Sequence, residues 1–327
     1  MAAQDQTPLG SGFAPKSEPD QILEGIDLTG KTAIVTGGYS GIGFETTKAL
    51  ASKGANVIVP VRTPAKAEEN LAVLAGNVAG SVTTHAMDLA DLASVRAFAD
   101  TMNSELDRVD LLINNAGVMA SPERRVGPGW EYQFGINHMG HFALTQGLLP
   151  LLEKADAPRV VALSSVAHLR NSILWDDIHF EANDYDKWAA YAQAKSANSL
   201  FAVELSQRMS AFDGRAMAVH PGGIFTPLQR DLPVEEQIMM GWLDADGNPS
   251  ALAQAAFKTP AQGCTTTLWA ATSPMLDDKH GLYCEDCDVA QLWSEESPMG
   301  VNVKAHAVEP DDAARLWSVS EALLATA

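Results

Sequence analysis

Residues 31–54, KTAIVTGGYSGIGFETTKALASKG, constrain this chain more than any other stretch. Ala33-Ile34-Val35 is a short apolar run with the composition of a strand buried on both faces. Four glycines follow within seven residues: Gly37, Gly38, Gly41 and Gly43. Beyond them, apolar Phe44, Ala49 and Leu50 alternate with polar Glu45, Lys48 and Lys53 at helical spacing. Strand, glycine turn and helix together set a pyrophosphate on a helix N-terminus, where unpaired N–H groups and the dipole favour negative charge. Glycine is needed because a side chain would hold the backbone off the phosphate oxygens.

The chain has 327 residues, 46% of them hydrophobic, with a mean hydropathy of -0.05, so a large core is available. Its net charge of -19 and pI near 4.7 argue against nucleic acid or an anionic membrane as partner, since both demand a basic face. No stretch approaches the ~20 apolar residues of a membrane span. The first 21 residues lack a cationic start followed by an apolar run, so no secretory signal is expected. Cys264, Cys284 and Cys287 are too few for a disulfide framework. Cys284-x-x-Cys287 has no second pair beside it, so no metal site is expected and reduced thiols in a cytoplasmic protein are.

Residues 1–28, rich in Pro, Gly, Ser and acidic side chains, read as an extension ahead of one catalytic domain over 29–327. Strands are expected at 33–35, 56–61, 82–87, 109–113, 160–163, 215–220 and near 281–283. Helices fall at 64–75, 91–107, 130–154, 188–210, 260–271 and 310–325, and residues 224–257 read as an irregular substrate loop. The alternation predicts an α/β fold, a Rossmann-like doubly wound parallel sheet of seven strands with helices on both faces. Right-handed crossovers put every strand's C-terminal end on one edge, where ligands bind. Gly37, Asp88, Asn115, Ser165 and Pro221 all fall at such ends.

Tyr191-Ala192-Gln193-Ala194-Lys195 puts a phenol and an ammonium on one helix face, at i and i+4. A nearby ammonium favours phenolate and draws the tyrosine pKa down from about 10, which would make a general acid/base. A packed tyrosine beside a solvated lysine fits the same spacing. Ser165, 26 residues earlier, either caps a turn or holds a substrate oxygen beside that phenol. Asn137 lies inside an amphipathic helix, where asparagine is unfavourable, and is either a satisfied buried amide or a functional one.

TGGYSGIG, NNAG, Asn137, Ser165, YAQAK and PGG occur in this order. Over roughly residues 28–290 the chain resembles the short-chain dehydrogenase/reductase superfamily. It is most similar to the branch of retinol dehydrogenases, WW-domain oxidoreductases and their bacterial and plant-chloroplast relatives. NNAGVMASPE, QFGINHMGHFALT, VVALSSVAHL and VHPGGIFTPL carry that likeness. The resemblance implies that Tyr191 exchanges the substrate hydroxyl proton, that Lys195 binds the nicotinamide ribose, and that Ser165 orients the substrate oxygen. Asn137 would hold a water linking Lys195 to solvent. Gly37, Tyr39, Ser40, Gly41, Ile42 and Gly43 would line pyrophosphate and ribose. Asp88 and Leu89 would touch adenine, Asn115, Ala116 and Gly117 its ribose, and Pro221, Gly222, Ile224 and Thr226 the nicotinamide amide. His138 and His168 belong to the branch pattern without an assignable role. Tyr39 departs from the Asn or Ser common there, and the apolar N-terminal segment of membrane-anchored relatives is missing, which implies a soluble enzyme.

The expected function is hydride transfer between a nicotinamide and a bulky hydrophobic alcohol, ketone or aldehyde, such as a steroid, retinoid or aromatic ketone. Apolar residues at 173–175 and 239–242 suggest that class. The rival is a non-catalytic nucleotide-sensing or interaction protein on the same fold. Arg62, directly after the second strand where NAD-specific sites place a carboxylate, favours NADP(H), with NAD(H) possible. Apolar surplus on helices 130–154 and 188–210 points to a homodimer or homotetramer.

Overall fold

The computed structural model describes residues 5–327; residues 1–4 of the expected extension lie outside it. Each strand of the central sheet is short and flanked by a turn that redirects the chain across a face. In chain order come β1 (Thr32–Val35), α1 (Gly41–Ser52), β2 (Asn56–Val61), α2 (Pro64–Leu71), β3 (Ser81–Ala86), α3 (Leu92–Glu105) and β4 (Leu111–Asn114). A two-stranded hairpin, β5 (Arg125–Val126) and β6 (Trp130–Glu131), precedes a π-turn at Gly135–Met139 and α4 (Gly140–Leu152). Then follow β7 (Arg159–Leu163), α5 (Lys187–Met209), β8 (Arg215–His220), α6 (Pro260–Thr272), β9 (Tyr283–Glu285), β10 (Asp288–Val289) and α7 (Pro310–Ala325).

The main sheet runs β3-β2-β1-β4-β7-β8-β9-β10 and is parallel through β9. It has eight strands rather than the seven expected, because β10 turns back to pair antiparallel with β9. Asp286 and Cys287 make that reversal at positive φ, without the glycine that usually announces one. A two-residue strand also leaves no period to read.

Side chains alternate across the sheet. Ile34, Leu112, Val160, Ala162, Ala216 and Ala218 face a layer that includes Phe98 and Met102 of α3, Leu148 of α4 and Leu200 of α5. Ala33, Val35, Leu111, Ile113, Val161, Leu163 and Met217 face the opposite layer of Leu50, Leu71, Leu268 and Trp269 from α1, α2 and α6. Burial on both faces is why these strands read as continuous apolar runs. The N-terminal extension packs on the second layer through Ile22, Leu23 and Leu28. The Gln6 side-chain amide meets both backbone groups of Tyr283, accepting from its N–H at 2.8 Å and donating to its carbonyl at 3.0 Å.

The C-terminal helix α7 lies on α5 and α4. Trp317 stacks parallel to Phe201, with centroids 6.0 Å apart, and meets Phe142 edge-on at 4.8 Å. The apolar surplus on the two long helices is thus partly covered from within the chain. Ile173 is likewise buried in this layer, and Trp175 packs against it under the Arg315 guanidinium, 4.1 Å from the ring centroid. Neither joins the apolar cluster around Tyr191.

Candidate active site

The glycine turn is shaped by close approach to the end of β4. Gly37 has φ +66°, and a Cβ there would stand 3.2 Å from Asn115 Nδ2 and from Ala116. A Cβ at Gly43 would collide with the Gly37 carbonyl. Ser40 caps α1 without a side-chain bond, so the hydroxyl satisfies none of the helix's first N–H groups. Across the cleft, a Cβ on Gly41 would sit 3.3 Å from Thr226. Thr226 caps the Pro227–Asp231 turn that follows the Pro221-Gly222-Gly223 bend. Tyr39 and Ile42 pack partly buried against the apolar layer below. These close approaches leave a backbone-lined cradle that suits a pyrophosphate.

Arg62 follows β2 directly, exposed, and among the described residues nothing hydrogen-bonds or pairs with its guanidinium. At the end of β3, Asp88 turns its carboxylate back to the Ala90 N–H at 3.0 Å. Leu89 lies so close to α4 that a Cβ at Gly140 would come 2.6 Å from its carbonyl.

Asp186 sets the phase of α5, its Oδ1 accepting from Trp188 and Ala189 N–H at 2.8 and 3.0 Å. Tyr191 and Lys195 then face inward, 4% and 5% exposed. Lys195 Nζ is 5.6 Å from the Tyr191 ring centroid and donates to the Leu163 carbonyl at 2.8 Å. The pair does not behave as the spacing alone predicts. Burial pushes the phenol up to about 12, opposed by a hydrogen bond with Ser165, and lowers Lys195 to about 7. Desolvation favours the neutral form of each and outweighs their mutual effect. Gln193, between them, is structural: it accepts from Leu174 N–H and donates to the Ile178 carbonyl.

Ser165 follows β7 and fills the capping role its sequence position left open, close to the Tyr191 phenol. Its Oγ accepts from Ala167 N–H at 3.2 Å, capping a short turn, while the same hydroxyl reaches the Tyr191 phenol. Asn137, fully buried in the π-turn, spends its side-chain amide on Val118. Oδ1 accepts from Val118 N–H at 2.8 Å and Nδ2 donates to the Val118 carbonyl at 2.9 Å. The brace uses one Nδ2 hydrogen and one Oδ1 lone pair of the amide.

A family model described as short chain dehydrogenase matches residues 31–237, more than half of the chain. A probable oxidoreductase from Streptomyces antibioticus is 45% identical over 266 residues, 80% of this chain and 86% of that protein. Human retinol dehydrogenase 14 is 34% identical, with 81% of each chain covered. A solved structure of an uncharacterised protein from Mycobacterium paratuberculosis superposes with a TM-score of 0.66 at 33% identity, covering 91% of this chain and 94% of that one. The chain belongs to the short-chain dehydrogenase family. It is an NAD(P)-dependent oxidoreductase.

In this short-chain dehydrogenase, residues 224–257 form short helices at Val234–Met239 and Ala251–Ala256 rather than an irregular loop. Leu232 of this segment packs on Met119, Ala120 and Tyr191, with Trp188, Leu228 and Trp242 at the margin. Three polar contacts fasten the cover. Ser121 Oγ donates to Asp231 at 2.8 Å, and Glu236 takes both Trp188 Nε1, at 2.6 Å, and the Lys187 ammonium. Of the apolar residues expected at 239–242, only Trp242 joins this cluster; Met239 is 81% exposed. Leu232 had no signal in sequence, being an ordinary apolar residue outside any motif, and Met119 stood in the NNAGVMASPE stretch without a role of its own. His141, one helical turn after Asn137, did stand in the INHMGHF stretch. No helix among the described residues is long and apolar enough to cross a membrane.

Proposed function

We propose that this dehydrogenase moves a hydride between nicotinamide C4 and the carbinol or carbonyl carbon of a bulky apolar alcohol or ketone, with NADP(H) favoured. The observation that carries the reading is the buried Tyr191 phenol, within reach of the Ser165 hydroxyl and roofed by Leu232 and Met119. Bound cofactor supplies the hydride; the protein's part is position and the proton. Protonated at neutral pH, Tyr191 is ready to donate to a carbonyl oxygen that Ser165 holds, or to take that proton back in the reverse direction. Lys195 Nζ gives one hydrogen to Leu163 and leaves the remainder for ribose hydroxyls. The Asn137–Val118 brace keeps the strand end beside it in place. The apolar cover keeps water off the reacting carbon, and it offers an alcohol nothing charged to bind, which favours a large hydrophobic substrate.

The glycine cradle and the uncapped start of α1 fit the pyrophosphate of a dinucleotide, and Arg62 fits a 2′-phosphate. The test is a turnover screen of ketones and secondary alcohols with both reduced and both oxidised cofactors, followed by Tyr191→Phe. The variant should lose ~10²–10⁴-fold in kcat while cofactor affinity is retained. Retention of more than roughly a tenth of kcat would remove Tyr191 from the role. Cofactor binding with no turnover anywhere in the screen would favour the non-catalytic alternative.

A further inference from the structure

His141, 3% exposed on α4, engages both ring nitrogens. Nδ1 lies 3.0 Å from the Asn137 carbonyl, which only accepts, so Nδ1 carries the proton. Nε2 is then the acceptor, and Thr36 Oγ1, 2.9 Å away, donates to it. That same Oγ1 accepts from the N–H groups of Asn115 and Ala116, both at 2.9 Å, and the Thr36 carbonyl accepts from Asn115 Nδ2 at 2.7 Å. The Thr36 hydroxyl also lies 3.3 Å from the Ile113 carbonyl, a longer alternative for its proton. A second proton on the ring would aim an N–H at an oxygen whose lone pairs are already taken, so only neutral imidazole fits.

Thr36 is the last residue before the glycine turn, and Asn115 and Ala116 form the wall against which Gly37 is packed. On the other side, the Asn137 turn stands against the lysine: a Cβ at Gly117 would be 3.0 Å from Asn137 Oδ1 and 3.8 Å from Lys195 Nζ. One imidazole therefore joins the cofactor cradle to the Lys195 side of the site. His138, three residues earlier, gives the contrast. It is as deeply buried, but among the described residues its ring bonds only Ser320 Oγ of α7 and packs among Phe134, Phe142 and Phe201.

We infer that His141 is a positioning residue that couples the conformation of the glycine turn to the placement of Asn137 beside Lys195. The inference rests on the catalytic reading proposed above for Lys195, while its binding arm needs no substrate at all. Two conservative variants separate the two bonds. An asparagine amide overlies Nδ1, so His141→Asn keeps the Asn137 brace and loses Thr36. A glutamine amide overlies Nε2, so His141→Gln keeps Thr36 and loses the brace.

The measurements are cofactor Kd by tryptophan fluorescence titration of NADPH and NADH, and kcat at saturating cofactor. His141→Asn should weaken cofactor binding about tenfold, the effect of one buried hydrogen bond, with the smaller change in kcat. His141→Gln should reverse the order, with the larger loss in kcat. Thr36→Val should repeat the His141→Asn pattern, and the double variant should be no worse than either alone in Kd, because both cut one link. Parallel changes in Kd and kcat for the two histidine variants, no change in either, or additive effects in the Thr36/His141 cycle would each overturn the coupling. If His141→Gln does not fold, the Kd cycle alone decides. Failure of all turnover with the Kd cycle intact would instead reject the catalytic reading and leave the Thr36–His141 link standing.

Discussion

His168 Nδ1 donates to the Ser165 carbonyl at 2.7 Å, immediately behind the hydroxyl that meets Tyr191. The assignment follows from the other nitrogen, which accepts from Lys304 N–H at 3.2 Å. His306 Nε2 closes on the His168 carbonyl at 3.0 Å, and the Tyr283 ring packs alongside at 4.9 Å. Ser165 is thus steadied from a segment 140 residues away in sequence.

His168→Leu should leave the Lys304 N–H unpaired in the interior and strip the Ser165 carbonyl of one of its two donors, the His168 backbone N–H at 3.1 Å remaining, a loss of about 1–3 kcal/mol. Activity should fall through kcat more than through cofactor affinity, since the cradle is untouched. Denaturant unfolding and single-turnover kinetics read the two effects separately. An unchanged kcat in a variant destabilised by that amount would confine His168 to stability.

Acid should unfold this protein well above the usual carboxylate range. Burial holds His141 and His168 down to about 4, and His138 and His220 to about 3, against an ordinary 6.5. The unfolded chain takes up those protons first, so their contribution is whole above pH 6.5 and drains as pH falls. Each group removes about 1.4 kcal/mol per pH unit below its unfolded pKa. Glu285 works the other way: raised to about 7 by burial, it stabilises the fold as pH drops from 7 to 4.5. Four imidazoles outweigh one carboxyl. Calorimetry should show Tm easing downward from pH 8 to 7, where Lys195, lowered to about 7, adds its own loss against the Glu285 gain, and falling steeply between 6 and 4. A flat Tm through that window would mean water already reaches these rings.

Much of the site was legible because its chemistry is local. The glycine turn, the Tyr191–Lys195 spacing and the strand ends at Asn115, Ser165 and Pro221 depend on near neighbours in sequence, and the structure brings them to one edge. Depth is not local. Four-residue spacing puts Lys195 below Tyr191 but says nothing of the Leu163 carbonyl that holds it, nor of the burial that shifts both groups toward their neutral forms. The Asn137 amide finds Val118, and Ile173 and Trp175 find α7, through contacts between distant segments that no periodicity records. The eighth strand was hidden by its two-residue length.

The C-terminal helix bears on assembly. Trp317 lies between Phe201, Phe142 and the Arg208 guanidinium, 4.3 Å from its ring centroid, and so covers the apolar faces of α4 and α5. A homodimer through those faces would have to displace it. Light scattering of the full chain at micromolar concentration should give 34.8 kDa. Trp317→Ala should cost about 3–5 kcal/mol and drive the mass upward as the two helices are laid bare. A dimeric mass for the unaltered chain would mean that another face makes the contact.

Cofactor choice turns on the residue after β2. Val61 ends the strand and Arg62 follows, where a carboxylate would accept both adenine-ribose hydroxyls and repel a 2′-phosphate. The guanidinium is exposed and no acid among the described residues pairs with it, so its donors remain available to a phosphate. Tyr39 and Thr63 stand nearby in sequence with hydroxyls but no second charge, which limits the preference to a moderate one. An exposed charge-assisted contact is worth roughly 1–2 kcal/mol, so NADPH should be favoured over NADH by about five- to thirtyfold in kcat/KM. The preference should shrink as salt rises, because the contact faces water. Arg62→Ala should remove most of it by weakening NADPH while leaving NADH turnover near its original value. Equal losses with both cofactors would mean instead that Arg62 stacks on the adenine they share, and an unaltered chain that works better with NADH would refute the assignment outright.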